Sequence, residues 1–131
     1  MTSEANSNVL IVDDDKFLLD MYSLKFKEAA FRVETADSSE AAYEAVKKGG
    51  QDVVLLDILM PSMDGFELLK RIKGEGLGQT TKFIVLSNLG EPSDIEKARE
   101  LGADGYIVKA TATPTEVVEV VRKVLLSENK K

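Results

Sequence analysis

Four short apolar runs set the strongest limit on how this chain can fold. They are Val9-Leu10-Ile11-Val12, Val53-Val54-Leu55-Leu56, Phe83-Ile84-Val85-Leu86 and Tyr106-Ile107-Val108. Each is too short for a helix, rich in β-branched residues and bounded by polar ones. That is the pattern of parallel strands buried on both faces. A fifth run, Phe31 to Ala36, alternates Phe31, Val33 and Thr35 with Arg32 and Glu34, as a half-exposed edge strand does.

The stretches between the runs read as helices with start signals. Asp37-x-x-Glu40, Asp64-x-x-Glu67 and Ser93-x-x-Glu96 are candidate caps for the second, third and fourth helices. Thr113-Pro114-Thr115-Glu116 predicts a capping box with proline in the first helical position. Leu18, Met21 and Leu24 mark the expected inner face of the first helix, and Val117, Val121 and Val124 that of the last, with Val120 and Leu125 beside them. Gly49-Gly50 and Gly102 are expected to end the second and fourth helices. Gly74 to Thr81 reads as a loose connection. Its glycine spacing follows a helix and precedes a strand, the reverse of a nucleotide-binding loop. The order is strand–helix repeated through the chain, so the expected fold is α/β, a doubly wound parallel sheet with helices on both faces.

Sites in such sheets form outside the carboxyl ends of the strands. There the sequence places Asp13-Asp14-Asp15, then Asp57, Ser87 and Lys109. The chain has no His and no Cys. Ser-His catalysis, thiol chemistry and Cys-based zinc sites are therefore excluded. A carboxylate cluster without nitrogen or sulfur partners selects a hard cation such as Mg²⁺. A carboxylate can also attack phosphorus, with a hydroxyl, a lysine and a metal stabilising the transferred charge. The net charge of −6 disfavours direct contact with nucleic acid or an anionic membrane. The polar start lacks a secretory h-region, so a cytoplasmic location is expected.

Val12-Asp13-Asp14, Leu56-Asp57-Ile58-Leu59-Met60-Pro61-Ser62-Met63-Asp64-Gly65, Leu86-Ser87 and Gly102-Ala103-Asp104-Gly105-Tyr106-Ile107-Val108-Lys109 resemble the signatures of two-component response regulator receiver domains. They stand in the same order and cover the chain from Asn8 onward. The resemblance implies a flavodoxin-like five-stranded sheet of order 2-1-3-4-5. It implies phosphoacceptance at Asp57, Mg²⁺ held by Asp13, Asp14, Asp57 and the carbonyl of Leu59, and phosphoryl contacts from Ser87 and Lys109. Tyr106 would be a switch aromatic coupled to Ser87, although an aromatic there can also simply pack against a helix. Pro61 and Gly65 would shape the loop beneath the site.

The same resemblance names the partners. A histidine kinase or histidine phosphotransfer protein would supply the phosphoryl group. A downstream protein would dock on the fourth helix, fifth strand and fifth helix, roughly Pro92 to Leu126, with the chain a monomer or a phosphorylation-dependent dimer. The expected organisation is a flexible leader over 1–7, a stand-alone receiver over 8–127 and a tail over 128–131. No enzymatic role is expected beyond self-catalysed phosphotransfer and slow autodephosphorylation. Two departures stand out. The family usually has proline after the lysine, where this chain has Ala110, which predicts a trans bond and an altered loop. By the same resemblance Leu59 and Leu89 would flank the path of the attacking water, which neither can orient, unless both only pack the loops. Asn88, where the family often has a small residue, would either narrow that path or hold a water with its amide. Two rivals remain. Asp13-x-Asp15 resembles the motif of haloacid-dehalogenase-type phosphatases, a reading that leaves Asp57, Pro61 and Gly65 unexplained. A pseudo-receiver that binds without being phosphorylated would not need the intact acid set.

Overall fold

A computed structural model describes residues 7–127. Within them the chain runs β1 (Asn8–Val12), α1 (Lys16–Glu28), β2 (Arg32–Ala36), α2 (Ser39–Lys48), β3 (Val53–Leu56), α3 (Gly65–Gly74), β4 (Lys82–Ser87), α4 (Pro92–Glu100), β5 (Gly105–Val108), a short 3₁₀ turn (Lys109–Thr111) and α5 (Pro114–Ser127). All strand pairs are parallel, in the order β2-β1-β3-β4-β5. The expected doubly wound sheet is thus observed. The leader, apart from Ser7, and the tail lie outside the described residues.

Successive strand residues point to opposite faces, so one apolar run feeds two cores. Val9, Ile11, Val53 and Leu55 pack under α1 and α5. Leu10, Val12, Val54 and Leu56 pack under α2 and α3. Ile58, Phe66, Val85 and Ala98 close a third cluster under α4. On α1 the inner face is Leu19, Tyr22 and Phe26, not the expected Leu18, Met21 and Leu24. Leu18 and Met21 sit at its margin, and Leu24 is 61% exposed. Phe26 anchors this face edge-on to Phe31, ring centres 5.0 Å apart. At the sheet edge Val33 is half-buried but Thr35 is exposed, so the β2 alternation fades toward its end.

The capping residues refine the sequence reading. Asp64 and Glu67 form the expected reciprocal box at α3, as do Thr113 and Glu116 before α5. At α2 the cap is Ser38 rather than Asp37, its hydroxyl accepting from the Ala41 N–H. At α4 it is Glu91 paired with Asp94, which puts Pro92 at the first turn; Ser93 and Glu96 are already inside the helix. Gly49 closes α2 at φ +85°, and Gly102, at φ +99°, follows α4. The connection after α3 is less loose than its composition predicts. The Thr81 hydroxyl is buried and donates to the Gln51 carbonyl at 2.8 Å.

Candidate functional site: an acid rim at the carboxyl edge of the sheet

Parallel pairing brings the strand ends together. Val12 lies opposite Leu56, so Asp13 and Asp57 leave the sheet side by side. The ladder runs one step further, with the Asp57 N–H donating to the Val12 carbonyl at 3.1 Å and the Asp13 N–H to that of Ala36 at 3.1 Å. Both carboxylates are therefore fixed on backbone that is itself paired. Asp13 and Asp57 are buried, Asp14 is exposed, and one oxygen from each of the three falls within a 4.8 Å cluster.

Lys109, the first residue after β5, closes this cluster. Its Nζ donates to Asp13 Oδ2 at 2.6 Å and to Asp57 Oδ2 at 3.0 Å. Burial alone would lower the pKa of this ammonium, but its hydrogen bonds to the two carboxylates outweigh that and raise it. Burial also pushes the Asp13 carboxyl up, even though Lys109 and the Asp15 N–H pull it down. The other oxygens are engaged too. Asp13 Oδ1 accepts from the Asp15 N–H at 2.9 Å, and Asp57 Oδ1 from the Leu59 N–H at 3.2 Å. Asp15 itself caps α1, as its place after the acid pair suggests.

Ser87 ends β4 opposite Val108, which puts it beside Lys109 at the same rim. It is fully buried, and its Oγ accepts from the Leu89 N–H at 3.3 Å. The Tyr106 hydroxyl donates to the Leu89 carbonyl at 2.6 Å. One residue's backbone thus links the two candidate switch residues, a connection that sequence alone does not display. The Lys109–Ala110 peptide is trans, and the chain turns there in a single 3₁₀ turn. The β3–α3 loop folds tightly beneath the acids. A Cβ at Gly65 would lie 2.3 Å from the Asp57 carbonyl oxygen, and the Gly65 N–H donates to the Ile58 carbonyl at 2.9 Å.

The arrangement holds three carboxylates, one ammonium and one hydroxyl at the end of a parallel sheet. The donor set is all oxygen and suits a hard divalent cation. The response regulator receiver domain model matches residues 9–122. The chain belongs to that family. This receiver domain is 36% identical over 101 residues, 77% of its length, to the gliding motility regulatory protein of Myxococcus xanthus. It spans 13% of that relative and 48% of transcriptional regulators from Guillardia theta and Staphylococcus aureus. Its fold matches the Vibrio cholerae chemotaxis protein CheY4 with a TM-score of 0.84 at 29% identity, over 92% of this chain and 99% of that one. It also matches a chain of the CheX-CheY-BeF3-Mg complex of Borrelia burgdorferi, with a TM-score of 0.83 at 32% identity, over 90% and 88% of the two chains. No described helix of the receiver is long and apolar enough to cross a membrane.

Proposed function

We propose that this receiver domain accepts a phosphoryl group on Asp57 from the phosphohistidine of a histidine kinase or phosphotransfer protein, and that it switches a partner surface on α4, β5 and α5. The observation that carries the reading is Lys109, whose single ammonium reaches both Asp13 and Asp57 across the strand ends. In the transfer, an Asp57 oxygen attacks phosphorus, the phosphorus–nitrogen bond breaks, and the donor imidazole leaves with its electron pair. Lys109 then pairs with the transferred phosphoryl oxygens, and the Ser87 hydroxyl donates to them. Asp13, Asp14, Asp57 and the Leu59 carbonyl would hold Mg²⁺, which supplies further neutralisation of phosphoryl charge. When Ser87 turns toward the phosphoryl group it gives up the Leu89 N–H, and Leu89 carries the change to Tyr106. The chain acts as a switch with no substrate of its own beyond this transfer and the slow hydrolysis that returns Asp57 to the free carboxylate and releases phosphate.

Acetyl phosphate with Mg²⁺ tests the reading. Intact mass should rise by one phosphoryl group in the wild type and not in Asp57→Asn. Equal gain in both proteins overturns it.

Mg²⁺ should stabilise the fold by linkage, by about 1.4 kcal/mol at ten times its dissociation constant. Thermal melts should show the rise in the wild type and a blunted one in Asp14→Asn. Because Lys109 already separates Asp13 from Asp57, removing the exposed Asp14 charge should raise metal-free stability only slightly. A melting temperature indifferent to millimolar Mg²⁺ contradicts the site.

The aspartyl phosphate should also be long-lived. Hydrolysis needs a water in line with the bond to phosphorus, and Leu59 and Leu89 flank that path. Leu59 is 56% exposed and Leu89 half-buried, and neither side chain can orient a water. Leu59→Asn combined with Leu89→Glu should speed loss of the phosphoryl group by about fivefold. Unchanged decay means the leucines do not control water.

A further inference from the structure

Beside the acid rim, between the start of α2 and the β3–α3 loop, lies a cavity of about 290 Å³ that shares Asp14 with the rim. That is near the small end of the range for small-molecule pockets. Tyr43, Pro61 and Met63 give it apolar walls, and Asp14, Asp37 and Glu40 stand around them. The walls are braced by side-chain hydrogen bonds. The Ser39 hydroxyl donates to the Met63 carbonyl and ties α2 to the loop. The Tyr43 hydroxyl donates to Glu75 and ties α2 to α3.

The charges are unbalanced. Arg71 is the one cation among the lining residues. It lies 3.9 Å from the centre of the Tyr43 ring, and its Nε donates to Glu75 at 3.2 Å, so its charge is already met. Among the described residues, none of Asp14, Asp37 and Glu40 enters an ion pair. All three are exposed and solvated, so they do not bar a neutral ligand, but their summed field at the cavity mouth disfavours an anion and favours a cation. An apolar body with one cationic head answers both the walls and the charge.

We infer that this cavity binds a small organic cation, an aryl or alkyl amine, and that its occupant and a divalent ion oppose one another through their shared neighbour Asp14. The opposition rests on the reading of Asp14 as a metal ligand; binding of the amine does not. By linkage the effect is mutual, each ligand weakening the other by the same factor.

The test is an NMR titration of the whole chain with phenethylamine, using phenethyl alcohol and phenylacetate as neutral and anionic counterparts. Saturable shifts at the amides of Ser39, Tyr43 and Met63 are expected with the amine alone. The double variant Asp37→Asn with Glu40→Gln keeps Ser38 as the cap and should weaken binding about fivefold. Equal binding of the alcohol, a linear response, or no loss in the double variant overturns the site. A second titration with Mg²⁺ should shift to higher concentration in saturating amine, by the factor with which Mg²⁺ weakens the amine. Amine binding with an unshifted Mg²⁺ titration overturns the opposition. Absence of any Mg²⁺ response, with amine binding intact, instead removes the metal reading and leaves the cavity site standing.

Discussion

Lys109→Met should cost about 3 kcal/mol of stability at neutral pH without added metal. Methionine keeps the apolar length of the side chain, so the loss is not one of packing. It comes from the charges left behind. The Lys109 side chain is 9% exposed, and those of Asp13 and Asp57 are 3% and 7%. Two buried carboxylates would then face each other with no cation between them. Removing one partner of a buried, hydrogen-bonded ion pair is far more damaging than losing a surface pair. Urea unfolding of both proteins measures the difference, and added Mg²⁺ should restore part of it by replacing the missing positive charge. The pH dependence has a defined sign. The two carboxylates raise the Lys109 pKa above the ordinary 10.5. Its contribution is therefore fully present below that value and is lost only as pH rises through the higher folded value. The gap between wild type and variant should hold steady from neutral to mildly alkaline pH. A change under about 0.5 kcal/mol would match a surface lysine and contradict the bridge.

Gly65→Ala tests the floor of the site. The new methyl carbon would sit 2.3 Å from the Asp57 carbonyl oxygen and 2.8 Å from the Ile58 Cα. Both are backbone atoms, so no side-chain rotation relieves the clash. Either α3 or the Asp57 peptide must move, at about 2–3 kcal/mol. Phosphorylation should slow as well, because the moved peptide carries the proposed acceptor. Gly74→Ala is the control. It lies in the same helix with nothing within 4 Å of its added Cβ, and it should be neutral or slightly stabilising. Denaturant midpoints and labelling rates of both variants separate a clash at the site from a general loss in α3.

The sheet and its rim were legible in the sequence because one physical rule governs both. A strand buried on two faces must be apolar throughout, so the polar residue that ends it stands out. Asp13, Asp57 and Ser87 announce themselves this way. Lys109 follows β5, which is an edge strand with only Ile107 buried rather than the doubly buried strand its apolar run predicts. The structure puts all four at one edge. The face of α1 was not legible. Phe17, Leu18, Leu19, Met21, Tyr22, Leu24 and Phe26 spread around the helix, so periodicity alone supports more than one inner face. Contact with the sheet and α5 selects Leu19, Tyr22 and Phe26. The α2 cap slipped because two acceptable capping residues, Asp37 and Ser38, are adjacent, whereas α4 starts two residues earlier than Ser93 suggests, with Pro92 taking the first helical position after Glu91. Two features had no sequence signal. The Leu89 bridge between Ser87 and Tyr106 is made by backbone atoms. The cavity that Asp14 lines is assembled from residues on four separate stretches of the chain.

On the proposed reading Asp57, rather than a neighbouring acid, carries the phosphoryl group. Asp13 makes the sharpest alternative, since it shares Lys109 and would be the nucleophile in a phosphatase-like reading. Borohydride reduction of the chain after acetyl phosphate and Mg²⁺ treatment converts the modified aspartate to homoserine and marks it permanently. Peptide mass spectrometry then locates the mark. Homoserine is expected at position 57, with Asp13 and Asp14 unmodified. Homoserine at 13 or 14, with Asp57 intact, would contradict it.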